Sequence, residues 1–450
     1  MGGVVRAVAL AAGVLLVAGC GLGVTGLGAD VDASGDDAGL GDDGDDAVEA
    51  GDVGSDDGGS GEGATGEAAA GDGGAVVIAP AGAIASATGL AQQTHLVYAT
   101  HSARWWLFFV DDAHPMLLQV RSSTDFVTWS PAASLTLPAS HAGEGGNFTV
   151  AYADLGGADV VHLSFGLHFP AQNDRRHFHA RATLSGVTIT FQAPAQMTTV
   201  TDPALVDPDG PATLVASDGH VWDASGWAYY QGTGNMCAWD SAGVDYGTFW
   251  DGILGPQQNL ATAQHTVNAR ALVPLAAGHV LALWELADAE PDPTNVAFST
   301  FGGLSWTAGA PLFSGTTAQS ANDWDVVHLT DTNVRVVRRA LAGGFDDVRF
   351  DGSTWSALAA PTGDPGLAGS GVVLLGSAPR VAAFTIAGDA ANSVRQAVWN
   401  GASWGPWTTL EGTPAARRFL SGWSSAGHAA VIWTQADGAG FDVAGKLVTF

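Results

Sequence analysis

Asp325-Val-Val-His-Leu-Thr-Asp-Thr-Asn333-Val-Arg-Val-Val-Arg-Arg-Ala-Leu-Ala-Gly-Gly-Phe-Asp346-Asp-Val-Arg-Phe350-Asp-Gly-Ser-Thr354-Trp355-Ser-Ala-Leu358 is a row of short apolar runs cut by turn residues. The runs predict strands near Asp325–Leu329, Asn333–Leu341, Asp346–Phe350 and Thr354–Leu358. Asp351-Gly352 between the last two is a hairpin signal, because tight turns need φ > 0. The unit is repeated. Trp306, Trp355 and Trp404 stand 49 residues apart, each preceded by Ser or Thr. A fixed period of roughly 20–50 residues marks one small structural unit laid down again and again.

The beat extends towards the N-terminus with stretching. Trp250, Phe191 and Trp129 hold the same place in earlier units, giving steps of 62, 59, 56, 49 and 49 from 129 onward. Apolar runs such as Trp105-Trp-Leu-Phe-Phe-Val110 and His428-Ala-Ala-Val-Ile-Trp433 recur, and Asp218-Gly219, Asn400-Gly401 and Asp437-Gly438 punctuate them. No long helical stripe appears outside the N-terminus. The pattern predicts an all-β β-propeller of four-stranded antiparallel blades, with an inner strand, two middle strands and an outer strand carrying the Trp. A Trp there fills the wedge between neighbouring sheets and buries roughly 150–250 Å². The next beat would fall at 453, past Phe450, so the last unit has only three strands, near Phe419–Ser424, His428–Gln435 and Phe441–Phe450. Ala75-Val-Val-Ile-Ala-Pro80 is placed to supply the fourth and close the ring. Seven blades are favoured; six follow if the irregular third unit, Thr199–Leu260, is not a blade.

The first part of the chain has another character. Residues 1–19 carry one basic residue, Arg6, and an apolar run from Ala7 to Ala18 that is too short to span a bilayer. Val17-Ala18-Gly19-Cys20 resembles a bacterial lipobox, which implies diacylglycerylation of the Cys20 thiol, cleavage before it and acylation of the new amine. Gly21 rather than Asp follows, so the resemblance implies the bacterial cell envelope, with the outer membrane favoured. From 20 to 74 the lipidated Cys leads into an acidic Gly/Asp-rich tether. Asp30 to Asp72 holds twelve Asp, three Glu and no Lys or Arg, and such a segment cannot bury a core. The propeller domain is assigned to 75–450. Of the formal net charge of −29 the tether supplies −15, and Arg6 leaves with residues 1–19, so the domain is near −15, which argues against nucleic acid as a partner. With Cys20 committed to lipid, Cys237 reads as a buried structural thiol. A monomer is expected.

Several turns carry a family resemblance. Ser299-Thr-Phe-Gly-Gly-Leu-Ser-Trp306 is similar to the Asp-box of sialidase-type propellers, with Phe301 where the Asp would stand. Ser123-Thr-Asp-Phe-Val-Thr-Trp129 resembles a looser turn of five-bladed glycosidases, and Asp351-Gly-Ser-Thr-Trp355 and Asn400-Gly-Ala-Ser-Trp404 are shortened relatives. Trp404-Gly-Pro-Trp407-Thr-Thr-Leu410-Glu-Gly412 is similar to a repeat of fucose-binding propeller lectins. In the sialidase family the Asp-box is a structural turn remote from the catalytic face, so the resemblance implies a fold more than an activity.

Propeller topology directs the search for function to the face made by outer-to-inner connections and by hairpins between the middle strands. There the sequence offers His168, Arg175 and Arg176; Trp222, Trp227, Tyr229 and Tyr230; and Trp284, Trp324 and Arg417. Aromatic faces beside cations and carboxylates suit a glycan or an envelope protein. For a hydrolase two carboxyls must face one another, and Asp202, Glu285 and Glu144 are the candidates. The three-Arg cluster of sialidases has no match, because Arg338 and Arg339 point to opposite faces of a strand. No metal-ligand pair and no cofactor fingerprint occurs, so neither metal nor cofactor is expected.

Overall fold

The computed structural model describes residues 74–449 apart from 84–85, 112, 132, 140–146, 170–173, 198–210, 217–218, 229–233, 241–256, 264–265, 290–291, 314–322, 341–342, 364, 367–370, 426 and 439. Cys20, the acidic tether and Trp250 therefore lie outside the described residues. The fold is a β-propeller. Among the described residues six sheets have four strands and one has five, all antiparallel. In chain order of their inner strands, the first holds Leu96–Ala99, Arg104–Val110, Leu117–Ser123 and Ala133–Thr136. The second holds Phe148–Asp154, Asp159–Phe169 and Asp174–Ser185, with Thr188–Phe191 and Ala195–Gln196 at its edge. The third holds Ala212–Val215, Val221–Ala228, Gly234–Asp240 and Gln257–Ala263. The fourth holds Thr266–Pro274, Val280–Ala289, Asp292–Phe301 and Ala310–Pro311. The fifth holds Trp324–Thr330, Asn333–Arg339, Phe345–Phe350 and Trp355–Leu358. The sixth holds Val372–Ser377, Arg380–Ile386, Val394–Trp399 and Thr408–Glu411. The last holds Arg417–Ser425, His428–Asp437, Gly440–Leu447 and, from the other end of the domain, Val76–Ala83. Each inner strand touches the next, and the last touches the first.

The closing strand Val76–Ala83 completes the last sheet, with Val76 opposite Gly445 and Ala79 opposite Val443. The irregular third unit forms a four-stranded sheet like its neighbours. The second sheet departs from the expected pattern. Thr188–Phe191 and Ala195–Gln196 both pair with Asp174–Ser185, so its outer strand is divided. Pro194 lies at the break, where a residue without an N–H cannot continue the ladder.

The recurring aromatic residues pack the wedges. Trp306 meets Trp222 of the third sheet at 5.7 Å, and Trp355 meets Phe298 of the fourth at 5.4 Å. Trp404 donates its indole N–H to Asp347 of the fifth at 2.9 Å. Trp129 joins the apolar cluster of the last and first sheets. Each reaches back to the preceding sheet. Only Trp355 lies in its outer strand; Trp129, Trp306 and Trp404 precede theirs.

The turns before these tryptophans are closed by side chains. Asp125 accepts the amides of Val127 and Thr128 at 2.8 and 2.7 Å and the Ser123 hydroxyl at 2.9 Å. Asp351 takes the amides of Ser353 and Thr354 in the same way, and Asn400 those of Ala402 and Ser403. Gly352 and Gly401 adopt φ of 95° and 103°, which a Cβ would oppose. In the turn where Phe301 stands for Asp, Ser299 and Thr307 hold the chain instead, through a 2.7 Å bond from the Ser299 hydroxyl to the Thr307 carbonyl. Donation from the Thr128 amide, then from Val127 and Ser123, lowers the Asp125 carboxyl from 3.8 to about 2. A carboxyl depressed in the folded state stabilises it fully above the unfolded value, and the gain is lost as pH falls towards the folded value. Asp125→Ala is therefore expected to lower stability by about 1 kcal/mol at neutral pH. Urea denaturation at pH 7 and pH 2.5 checks it: the gap between the two proteins should narrow at the lower pH.

Candidate functional site

Inner strands run from the face that carries the outer-to-inner connections to the face that carries the tryptophan turns. At the centre of the first face lies a segment that the pattern of runs did not flag. Residues 86–95 join the closing strand to the first inner strand, and they cross the axis. Thr88 donates its hydroxyl to the Phe419 carbonyl of the last sheet at 2.7 Å, and the Ser421 hydroxyl donates to the Gln93 carbonyl at 2.7 Å. Ala91 packs into the cluster between the sixth and last sheets, and Leu90 onto the one between the fourth and fifth. The Gln92 amide group donates to the Trp324 carbonyl of the fifth sheet. The Thr94 amide donates to the Thr149 hydroxyl of the second sheet at 3.0 Å, and the His95 ring spans the Ala87 and Phe148 carbonyls at 3.0 and 2.8 Å. A stretch bonded to sheets on opposite sides of the ring must lie over the axial channel. Gly89 permits the turn: its φ is 65°, and a Cβ there would collide with Gln93 and His95. The only legible trace in the sequence is Gln92-Gln93-Thr94-His95, four polar residues leading into an apolar strand.

Around this seal the predicted site residues fall into three groups. Glu144, Asp202, Tyr229 and Tyr230 lie outside the described residues. His168, Arg175 and Trp227 are placed by their backbones alone. His168 and Arg175 are cross-strand partners beside the middle hairpin of the second sheet. The third group is described in full, and most of it is not on a binding surface. Trp222, Trp284 and Trp324 are each 1% exposed and belong to the apolar walls between sheets three and four or four and five. In a propeller both faces of the inner and middle strands pack against neighbouring sheets, so a Trp on one of these strands is core whichever way it points. Glu285 is likewise 1% exposed, in mid-strand opposite Val296. Arg417 is a clamp. Its guanidinium donates to the carbonyls of Ala391 and Asn392, both at 3.0 Å, and of Thr413 at 2.6 Å, beside Glu411.

Arg176 alone of the described candidates stands at the rim. It is half-buried, its guanidinium lies 4.3 Å from the Phe169 ring centroid, and it reaches Gln196 at 3.5 Å. Phe169 in turn stacks on Phe178 at 6.0 Å. Nearby, Val110, Leu118, Phe148, Phe165, Leu167 and Asn147 line a shallow, mainly apolar crevice between the first and second sheets. The three other arginines of interest are separated as the strand phase requires. Arg335 pairs with Asp347, Arg339 with Asp323, and Arg338 with Asp346 while lying 4.0 Å from the Phe313 ring on the opposite side.

One buried polar line looks catalytic in its parts but not in its placement. His179 Nδ1 bonds to Asp223 of the third sheet, and His179 Nε2 lies 3.1 Å from His162 Nδ1. Burial, then the nearby His179 and Arg181, hold the His162 pKa well below its ordinary value. A neutral His162 can donate to His179, which donates to Asp223. All three are buried, so the line ties two sheets together and reaches no solvent. Among the described residues no group of three or more His, Cys, Asp or Glu is arranged to hold a metal ion.

No family model matches the chain, and no curated protein matches it in sequence. Solved structures do match. The chain is similar to the polysaccharide lyase Uly1, with a TM-score of 0.51 at 10% identity over 80% of this chain and 91% of that one. It is also similar to a fucose-specific lectin from Aleuria aurantia, with a TM-score of 0.42 at 12% identity over 67% of this chain and 95% of that one. For the Trypanosoma rangeli sialidase the TM-score is 0.44 at 10% identity, over 83% of this chain and 57% of that one. At such identities the lyase match speaks for the fold alone: the chain is a β-propeller.

Proposed function

We propose that the protein is a lipid-anchored, extracytoplasmic propeller that binds a glycan or an envelope protein without turnover. In this reading it has seven blades, the second sheet with its divided edge counting as one. The position of Glu285 carries the non-catalytic part. A glycosidase needs two carboxyls facing each other across an open gap of roughly 5–10 Å. The one candidate carboxylate among the described residues is sealed inside the wall of the ring. The segment 86–95 also closes the axial mouth where a deep cleft would otherwise open. The binding part rests on Arg176 over Phe169, a cation and an aromatic ring at the rim beside the Gln196 amide. The anchoring part rests on Val17-Ala18-Gly19-Cys20, which would place the chain in the bacterial cell envelope through two or more acyl chains.

The purified protein is expected to give a saturable signal on a glycan array, with a loss of about tenfold in Arg176→Ala at unchanged fold. A folded protein with no glycan signal would turn the reading to an envelope protein, to be sought by pull-down. Hydrolysis of aryl-glycosides that disappears in Glu285→Gln would overturn the non-catalytic assignment. Cys20→Ser is expected to move the protein from the membrane to the soluble fraction, and retention in the membrane would remove the anchor from the proposal.

A further inference from the structure

The closing strand and the axial seal are neighbours in sequence as well as in space. Val76–Ala83 ends only a few residues before the segment 86–95 begins. Ile78 and Ala79 of the strand are buried in one cluster with Ala87 of the seal, along with Leu96, Ile432 and Val443. The ladder at the seam is irregular. Its register shifts between Val77 and Ala79 and again between Ala79 and Ala83. Pro80 in the middle has no N–H to donate. Two side chains brace it from outside: Arg121 of the first sheet donates to the Ile78 carbonyl at 2.8 Å, and Glu411 of the sixth accepts the Ala75 amide at 3.1 Å.

We infer that the closing strand and residues 86–95 act as one strap, so that loosening the seam at the ring's outer edge releases the seal over the axial channel. The physical reason is the shared cluster. Peeling Val76–Ala83 from Gly440–Leu447 takes Ile78 and Ala79 out of the cluster that holds Ala87, and the seal loses the apolar footing of its first turn although its own hydrogen bonds and the packing of Leu90 and Ala91 are untouched. Local opening proceeds in cooperative units set by such shared contacts. Release would expose the centre of the face on which ligand is proposed to bind, so the strap regulates that site, and this consequence rests on the reading above. The strap itself does not.

Hydrogen exchange on the full chain tests it without any ligand. Arg121→Met removes an outer brace that does not touch the seal. Ser421→Ala removes the bond to the Gln93 carbonyl and does not touch the closing strand. In each variant the amides of 76–83 and of 87–95 are expected to accelerate together, by about tenfold for the loss of one such bond, while the second strands of the fifth and sixth sheets keep their rates. Acceleration confined to the stretch next to the substitution would overturn the proposal. So would equal acceleration in every sheet, which would mean global unfolding rather than a strap. An Ala79→Cys and Val443→Cys pair gives an independent reading, since the two residues are register partners and both buried. Oxidising it should slow exchange at Gly89 and Gln93, and unchanged rates there would count against coupling. Neither readout involves glycan binding, so failure of the strap and failure of the binding assignment are separable.

Discussion

Arg335→Met is expected to destabilise the propeller by about 3–5 kcal/mol at neutral pH, because it strands a carboxylate in a buried wedge. Arg335 is 2% exposed and lies 4.3 Å from the ring centroid of Trp399 and 5.1 Å from that of Trp404, ion-paired with the buried Asp347. Burial raises the Asp347 carboxyl above its ordinary value, while Arg335 and the Trp404 indole pull it back. Removing the cation leaves burial less opposed. A carboxyl raised further in the folded state is a destabilisation that grows as pH climbs above the unfolded value. The deficit of the single variant should thus be largest near pH 7 and shrink towards pH 4. The double change Arg335→Met with Asp347→Leu should recover most of it, since two apolar groups need no partner. Denaturant midpoints of the wild type, both single variants and the double variant at the two pH values give the measurement. A double variant no better than the single one would show that Arg335 matters through packing with the tryptophans and not through charge.

Trp222→Ala carries the second large effect, about 3–5 kcal/mol for emptying a fully packed aromatic site. Its ring meets Phe301 at 4.9 Å and Trp306 at 5.7 Å, so it joins the third sheet to the fourth. The same substitution separates two readings of the residue. A rim tryptophan that stacks on a ligand would leave the denaturant midpoint alone and abolish binding. A wall tryptophan shifts the midpoint, and any binding that remains in the folded fraction keeps its affinity. Trp222→Phe should restore more than half of the lost stability.

These two residues show what the sequence could convey. The strands of the fifth sheet follow the apolar runs closely, since Asp346–Phe350 became Phe345–Phe350 and the turn Asp351-Gly352 fell where the φ requirement placed it. The seam was legible from counting alone, because a missing fourth strand at one end and a spare apolar run at the other have one economical resolution. Trp222, Trp284 and Trp324 were misread for a reason of geometry. Inner and middle strands are covered on both faces, so exposure depends on position along the strand, and register is a property of the pairing. Glu285 follows the same rule. The segment 86–95 has no periodicity because it pairs with no single strand, and its bonds go to inner strands scattered from Phe148 to Ser421. The division of the second sheet's outer strand was signalled by Pro194, but only against a known partner strand.

The seam also sets an order of events in biosynthesis. Val76 leaves the ribosome among the first residues of the domain, and its partner Gly445 is among the last. Until Gly440–Leu447 has been made, Val76–Ala83 has no strand to pair with, and the blade that shuts the ring is incomplete. A chain folding as it is made therefore stays an open arc of sheets and locks into a ring only when its final hairpin is available. Loops of this length close slowly, so the finishing step in folding is expected to be the meeting of the domain's two ends.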